Sequence, residues 1–187
     1  SEENLQKVIP KKDIELNENK WLIWEEKYFK KTSYGETSKI DIILETSKIE
    51  RFVEEKIGPH NNKLSKDNWN KFRVENGILS FEEYEQNLLP SELGLDKFVD
   101  LKKGCYPGQE IHARLESRGK LKRKIKKFNS DKIIQPGKYS SDNGKKINIT
   151  TSTGKNGFFI VNNLEEESIK IEDLSLSHEE LDSIEIC

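Results

Sequence analysis

The chain has 187 residues, of which 33% are hydrophobic and 35% charged, and its 32 basic side chains nearly cancel 34 acidic ones to leave a net charge of −2. This length fits one domain of ordinary size or two small ones, and the balance of charge excludes the large uncompensated charge that keeps hydrophobe-poor chains unfolded. A mean hydropathy of −0.84 implies a lean core, and no apolar run nears the roughly 18 to 20 residues of a membrane span.

The polar start SEENLQKVIPKK has no apolar signal-peptide centre. The sequence therefore reads as a soluble, cytoplasmic protein with no membrane partner. Two cysteines cannot build a disulfide framework, and three scattered histidines leave no spacing that holds a metal. The chain contains no methionine, so Ser1 reads as a processed or trimmed end with N-terminal sequence missing before it.

Along the chain, the β-branched run IDIILET at 40–46 predicts a strand. A helix is expected next, with Ser47 as its cap and Glu50 as the capping-box partner. Ile49, Phe52, Val53 and Ile57 fall on one face of it, and Gly58-Pro59 stops it. A second helix is expected over 66–76 with Trp69 and Phe72 turned inward and Gly77 closing it. Ser80 with Glu83 predicts a third, short helix.

After Gly119 the pattern changes to short strands. In KLKRKIKKF, Leu121, Arg123 and Ile125 share one side and Lys122, Lys124 and Lys126 the other, the alternation of a half-exposed strand. Asp142-Asn143-Gly144 is a hairpin signal between KYSS and KKINITTS, and NGFFIVNN and SIKIEDL are further strands. The expected fold class is α+β, with a mixed part over residues 1–118 and a small antiparallel β-barrel over 119–187.

Charge is segregated along the chain. Lysines and arginines dominate from Lys102 to Lys127, while the tail from Glu165 onward is acidic. These are either two solvated faces that attract each other or, for the basic stretch, an anion-binding surface.

The chemistry concentrates in KKGCYPGQEIHARLESRG, residues 102–119. Gly104 and Gly108 permit positive φ, Pro107 fixes a turn, and Gln109 to Ser117 reads as a helix with Ile111 and Leu115 one turn apart. Cys105 then sits in a tight loop before a helix N-terminus, with Lys102 and Lys103 beside it, a setting that favours thiolate over thiol. Such a thiolate can be a nucleophile, a redox centre or a soft metal ligand; the alternative is a buried small hydrophobe. His112 is either a proton shuttle or a surface histidine. Cys187 has no comparable setting and reads as inert.

The run from Lys103 to Glu110, KGCYPGQE, resembles the K-G-C-Y-x-G-Q-E signature of the YgfZ-type folate-binding proteins, relatives of the glycine-cleavage T-protein (aminomethyltransferase). Residues 73–78, RVENGI, are similar to the family's R-x-E-x-G stretch, residues 89–95, LPSELGL, to its L-P-x-E-L-G-L stretch, and Ala113-Arg114 with Arg118-Gly119-Lys120 to its A-R…R-G-K continuation. The resemblance implies a T-protein-like fold that holds tetrahydrofolate in a central channel and ends in an antiparallel barrel. It implies a role in assembling or repairing iron-sulfur clusters of client enzymes, with Cys105 as the key residue in a loop of Lys103, Gly104, Tyr106, Gly108, Gln109 and Glu110. Glu75 matches the carboxylate that contacts the pterin, which suits a pterin's paired N–H donors. Arg73 is its companion in the cofactor-binding set, and Arg114 opens the basic run that would draw the folate's glutamate tail.

The chain departs from the family at Pro107, where a small or β-branched residue is usual, and at His112, where an aliphatic is. Pro107 stiffens the loop and removes a backbone donor. The N-terminal segment that completes the family's folate channel, with its catalytic Asp in true aminomethyltransferases, has no counterpart identified here. A second reading is a folate-dependent aminomethyltransferase or demethylase. A third, an RNA-binding strand over Lys120 to Lys127, has only Phe128 and Tyr139 as aromatic neighbours at a pI near 6.0, so nucleic acid is not an expected partner.

Overall fold

A computed structural model of the chain describes residues 20–34, 37–58, 64–100, 102–118, 121, 123–162, 168–171, 173–179, 181 and 185–186. It divides into two compact units, residues 1–63 and 64–187.

In the first unit, β1 (Trp21–Trp24), β2 (Lys27–Tyr34) and β3 (Thr37–Ile43) form an antiparallel meander. The two-residue turn between β1 and β2 places Glu25 and Glu26 at positive φ, the twist that matches a tight hairpin. Leu22, Trp24, Ile40 and Ile42 pack around buried Phe29 and Phe52. The strand expected at 40–46 thus lies earlier, at 37–43.

The expected helix is a composite: a 3-10 turn at Thr46–Lys48, one α-turn, α1 (Ile49–Phe52), and a π-turn at Val53–Ile57 that ends at Gly58. Ser47 lies inside the 3-10 turn, and no side chain caps the segment. Of the four residues expected on one face, only Phe52 is buried, while Ile49 and Ile57 are exposed. The wider π-turn rotates Ile57 off the stripe that Phe52 buries.

The second unit begins with α2 (Lys66–Glu75), β4 (Ile78–Leu79) and α3 (Phe81–Tyr84), continues through 3-10 turns at Pro90–Leu93 and Asp96–Phe98, and reaches α4 (Gln109–Arg118). There follow β5 (Arg123–Ser130), β6 (Gly137–Ser140), β7 (Lys146–Ser152), β8 (Asn156–Asn162), β9 (Ser168–Ile171), β10 (Leu174–Glu179) and β11 (Glu185–Ile186). β5 to β10 form an antiparallel sheet in the order β6-β7-β8-β5-β10-β9, curled into a half-barrel, and β11 pairs parallel with β4. Gly144 in the predicted Asp142-Asn143-Gly144 turn has φ 78°. The Asp142 N–H donates to Lys170 O at 3.0 Å, which bridges the two sheet edges.

The sheet is covered on both sides. Phe128, Ile147, Ile149, Phe159, Val161, Ile169 and Leu176 fill the inside of the curl. On the outer side Ile125, Phe158 and Ile160 meet Val74, Leu79, Leu93 and Leu95 of the helical layer. This two-sided burial explains the unbroken apolar run of β8, and it corrects the half-exposed reading of β5, where Lys126 is 5% exposed. On α2 the buried residues are Arg73 and Val74. Trp69 and Phe72 instead stack on each other, ring centroids 5.7 Å apart, and are half-buried. The sequence reading placed a boundary near Gly119; in the structure the outer core joins residues 64–100 to the barrel, so the compact units part between 63 and 64.

Candidate functional site

The residues singled out in the sequence fall in two places. The first is the seam between α2, α3 and the sheet. Ser65 caps α2 by accepting from Asn68 N–H at 3.2 Å, and the helix stops at Asn76 and Gly77, whose φ is 68°. That geometry puts Arg73 and Glu75 on the last turn, with opposite fates.

Arg73 is 1% exposed. Its Nη1 donates to Glu83 Oε2 at 2.8 Å, its Nε to Asn70 Oδ1 at 2.8 Å and its Nη2 to Thr151 Oγ1 at 2.5 Å, while the guanidinium lies over the Phe158 ring. Glu83, fully buried, also accepts from Ser80 N–H at 3.0 Å and from the hydroxyls of Thr150 and Thr151 at 2.8 and 2.6 Å. The capping box read from Ser80 and Glu83 therefore extends into a buried ionic network. Neighbouring Glu82 is held below the ordinary carboxylate range, first by a hydrogen bond from its own backbone and further by Ser80 and Arg73.

A parallel arrangement holds the LPSELGL stretch. Pro90 opens a 3-10 turn that Gly94 closes in the left-handed conformation. Glu92, 5% exposed, takes Arg123 of β5 in a two-pronged pair at 3.1 and 2.9 Å and also accepts from Leu89 N–H at 2.9 Å. Glu75, by contrast, is exposed; its backbone carbonyl accepts from Lys127 Nζ at 3.3 Å. Among the described residues its carboxylate meets no hydrogen-bond donor.

The second place is the loop before α4. Lys102 N–H donates to Asp100 Oδ1 at 2.8 Å, and Gly108 adopts φ 86°, while Gly104 has no positive φ. Gln109 N–H donates to Tyr106 O at 3.2 Å, and the amides of Ile111 and His112 both reach Gly108 O, so the PG turn feeds directly into the helix. The Lys103 ammonium sits 4.8 Å from the Tyr106 ring centroid, and that ring lies 6.4 Å from the His112 ring. The Tyr106 hydroxyl is buried with no hydrogen-bond partner among the described residues.

Cys105 is a free thiol, exposed at the crest of this turn. His112, expected on the surface, is 8% exposed, because it follows Gln109 by three residues and α4 turns it toward Tyr106. Glu110 and Arg114 form an exposed i,i+4 pair at 3.9 Å, and Gln109 is half-buried. Leu115, the expected companion of Ile111, lies outside the described side chains.

The structure thus gathers Lys103, Cys105, Tyr106, Gly108 and His112 on one turn and sets Arg73, Glu83 and Glu92 in the seam. The sequence marked Glu83 by its capping spacing and Arg73 and Glu92 by the stretches that hold them, with nothing to show that Arg73 pairs with Glu83 or Arg123 with Glu92. One pair joins the two segregated regions, Lys127 with Glu179 across β5 and β10 at 2.9 Å, and Lys132, beyond the basic stretch, pairs with Asp173 of the acidic tail. Exposed pairs of this kind contribute about 0–1 kcal/mol.

Among the described residues no helix is long and apolar enough to cross a membrane. No family model matches the chain. Over 92 residues it is 36% identical to a chloroplastic protein of Arabidopsis thaliana named as a candidate transferase, At1g60990. That match takes in 48% of this chain and spans only 21% of the relative's length. The chain is therefore an α+β protein with a half-barrel and a transferase-named relative.

Proposed function

We propose that the chain is part of a tetrahydrofolate-binding protein of the T-protein and YgfZ type, with a T-protein-like fold, in which Cys105 carries thiol chemistry for assembly or repair of iron-sulfur clusters. The observation that carries the reading is the exposure of Cys105 on a turn whose other residues hold it in place. Gly108 allows the turn, Tyr106 and Lys103 pack on each other, and Gln109 and Glu110 start the helix.

Tetrahydrofolate supplies a carrier of one-carbon units when bound. The residues present fit it in part. Glu75 offers an open carboxylate for paired N–H donors, whereas Arg114 is exposed and paired with Glu110, so a carboxylate tail would have to compete with that acid. Arg73 does not fit, because four protein acceptors already take its guanidinium; it positions α2 on the barrel and leaves the pterin contact to Glu75.

Cys105→Ser is expected to keep the fold and the folate affinity while failing to restore activity of iron-sulfur enzymes in cells that lack the protein. Full restoration by that variant removes the cysteine from the function. The transferase-named relative favours a second reading, a folate-dependent aminomethyltransferase or demethylase. Formation of methylene- or methyl-tetrahydrofolate from an amine donor selects that reading; folate binding without turnover selects the first.

A further inference from the structure

The helical layer covers only part of the outer face of the half-barrel. Beside Gln86 the sheet opens into a cleft of about 480 Å3. Strand register explains its lining. Lys138 lies opposite Asn148 and Ser140 opposite Lys146; Asn148 lies opposite Ile160, and Asn162 opposite Arg123. Residues two apart on a strand share a face, so Lys138, Lys146, Asn148, Asn162 and Arg123 converge on one concavity.

Three of its polar groups are fixed in advance. Asn148 Nδ2 donates to Gln86 Oε1 at 2.8 Å, and Glu92 clamps Arg123 with two hydrogen bonds. The two lysines differ: among the described residues neither ammonium meets an acid. They occupy diagonal positions on adjacent strands, roughly 7–8 Å apart, where like charges repel. Glu92, which reaches this face, is already engaged by Arg123.

We propose that this cleft binds a small organic dianion, its charges met by Lys138 and Lys146 and its polar edge by the carboxamides of Asn148 and Asn162. The volume lies in the range of small-ligand sites. Ammonium groups bind charge without the planar geometry that guanidinium demands, so a phosphate monoester and a dicarboxylate share the recognition chemistry. The site involves neither Cys105 nor Glu75 and stands apart from the folate reading.

The test is calorimetric titration of the full chain with inorganic phosphate and, separately, with glutarate, repeated for Lys138→Gln, Lys146→Gln and, as a control outside the cleft, Lys155→Gln. One probe is expected to bind, with affinity lowered about tenfold by either cleft substitution and unchanged by the control, at an unaltered urea midpoint. Phosphate binding assigns the site to phosphate esters and glutarate binding to dicarboxylates. Binding of neither probe, or equal weakening by Lys155→Gln, overturns the proposal.

Discussion

In the seam between α2, α3 and the sheet Arg73, Glu83 and Glu92 turn inward, and in the loop before α4 the charged side chains turn outward. Arg73, Glu83 and Glu92 are at most 5% exposed and share their polar atoms with Thr150, Thr151, Arg123 and backbone amides. Lys102, Lys103, Cys105 and Glu110 are exposed, and the loop is held by one aspartate contact, a cation over a ring and the turn at Gly108. A buried charge whose hydrogen bonds are all made by protein holds structure together, and removing its partner is costly. On the proposed function, the exposed Cys105 thiol acts on something outside the chain.

The largest effect that can break this contrast belongs to Glu83. Glu83→Ala takes from the buried Arg73 its shortest acidic partner and leaves it the longer 3.5 Å contact with Glu82, an expected loss of about 3 kcal/mol read as a lower urea midpoint. Cys105→Ala is expected to stay within about 0.5 kcal/mol of the parent. Equal losses from the two variants would erase the distinction between seam and loop.

Gly157 of β8 tests the inner core of the same sheet. A Cβ there would stand 2.0 Å from Thr151 O and 2.7 Å from Phe128 Cε1, where the register of β7 shifts between Ile149 and Thr151. Gly157→Ala is expected to cost up to about 3 kcal/mol. In the loop, Gly108→Ala has free space around its Cβ but an unfavourable φ of 86°, an expected cost of about 1–2 kcal/mol. Hydrogen exchange should localise that cost to the amides of Gln109 to His112 and leave the barrel unchanged. Exchange quickened across the barrel would show that loop and barrel are one cooperative structure.

The smallest expected effect separates the two compact units by pH. Lys48 holds Glu26 below its usual 4.5 by a hydrogen bond, and Glu45 is lowered first by Ser47 and then by Lys48. Glu82, in the other unit, is lowered by its own backbone. A lowered carboxyl contributes stability that is present above 4.5 and lost as the pH falls through its folded value. Carbonyl NMR titration should place all three below 4.5, and Lys48→Gln should move Glu26 and Glu45 upward while leaving Glu82 in place. Movement of Glu82 would couple the units electrostatically.

Much of the second unit was legible in the sequence. Lys66 to Gly77 carries a helix and a stop, and Asp142-Asn143-Gly144 makes the hairpin it predicts, because these are local signals with local causes. The half-barrel's inner and outer cores were not separable, since β8 is apolar on both faces and shows no alternation to read. β1 and β2 were missed because WLIW is apolar throughout and KYFKKTSY is rich in lysine. The buried pair Arg73–Glu83 and the half-buried pair Glu92–Arg123 join residues 10 and 31 positions apart, and no periodicity foretells which charges a tertiary contact will bury. In the candidate site, the Cys105 turn was legible from its glycines and proline, whereas the burial of His112 depended on how α4 sits against Tyr106.

Calorimetric titration with tetrahydrofolate of the parent chain, Glu75→Ala and Cys105→Ser tests the central claim most directly. The account predicts micromolar binding that Glu75→Ala weakens at least tenfold and Cys105→Ser leaves unchanged. Absence of binding, or binding indifferent to Glu75, would contradict it.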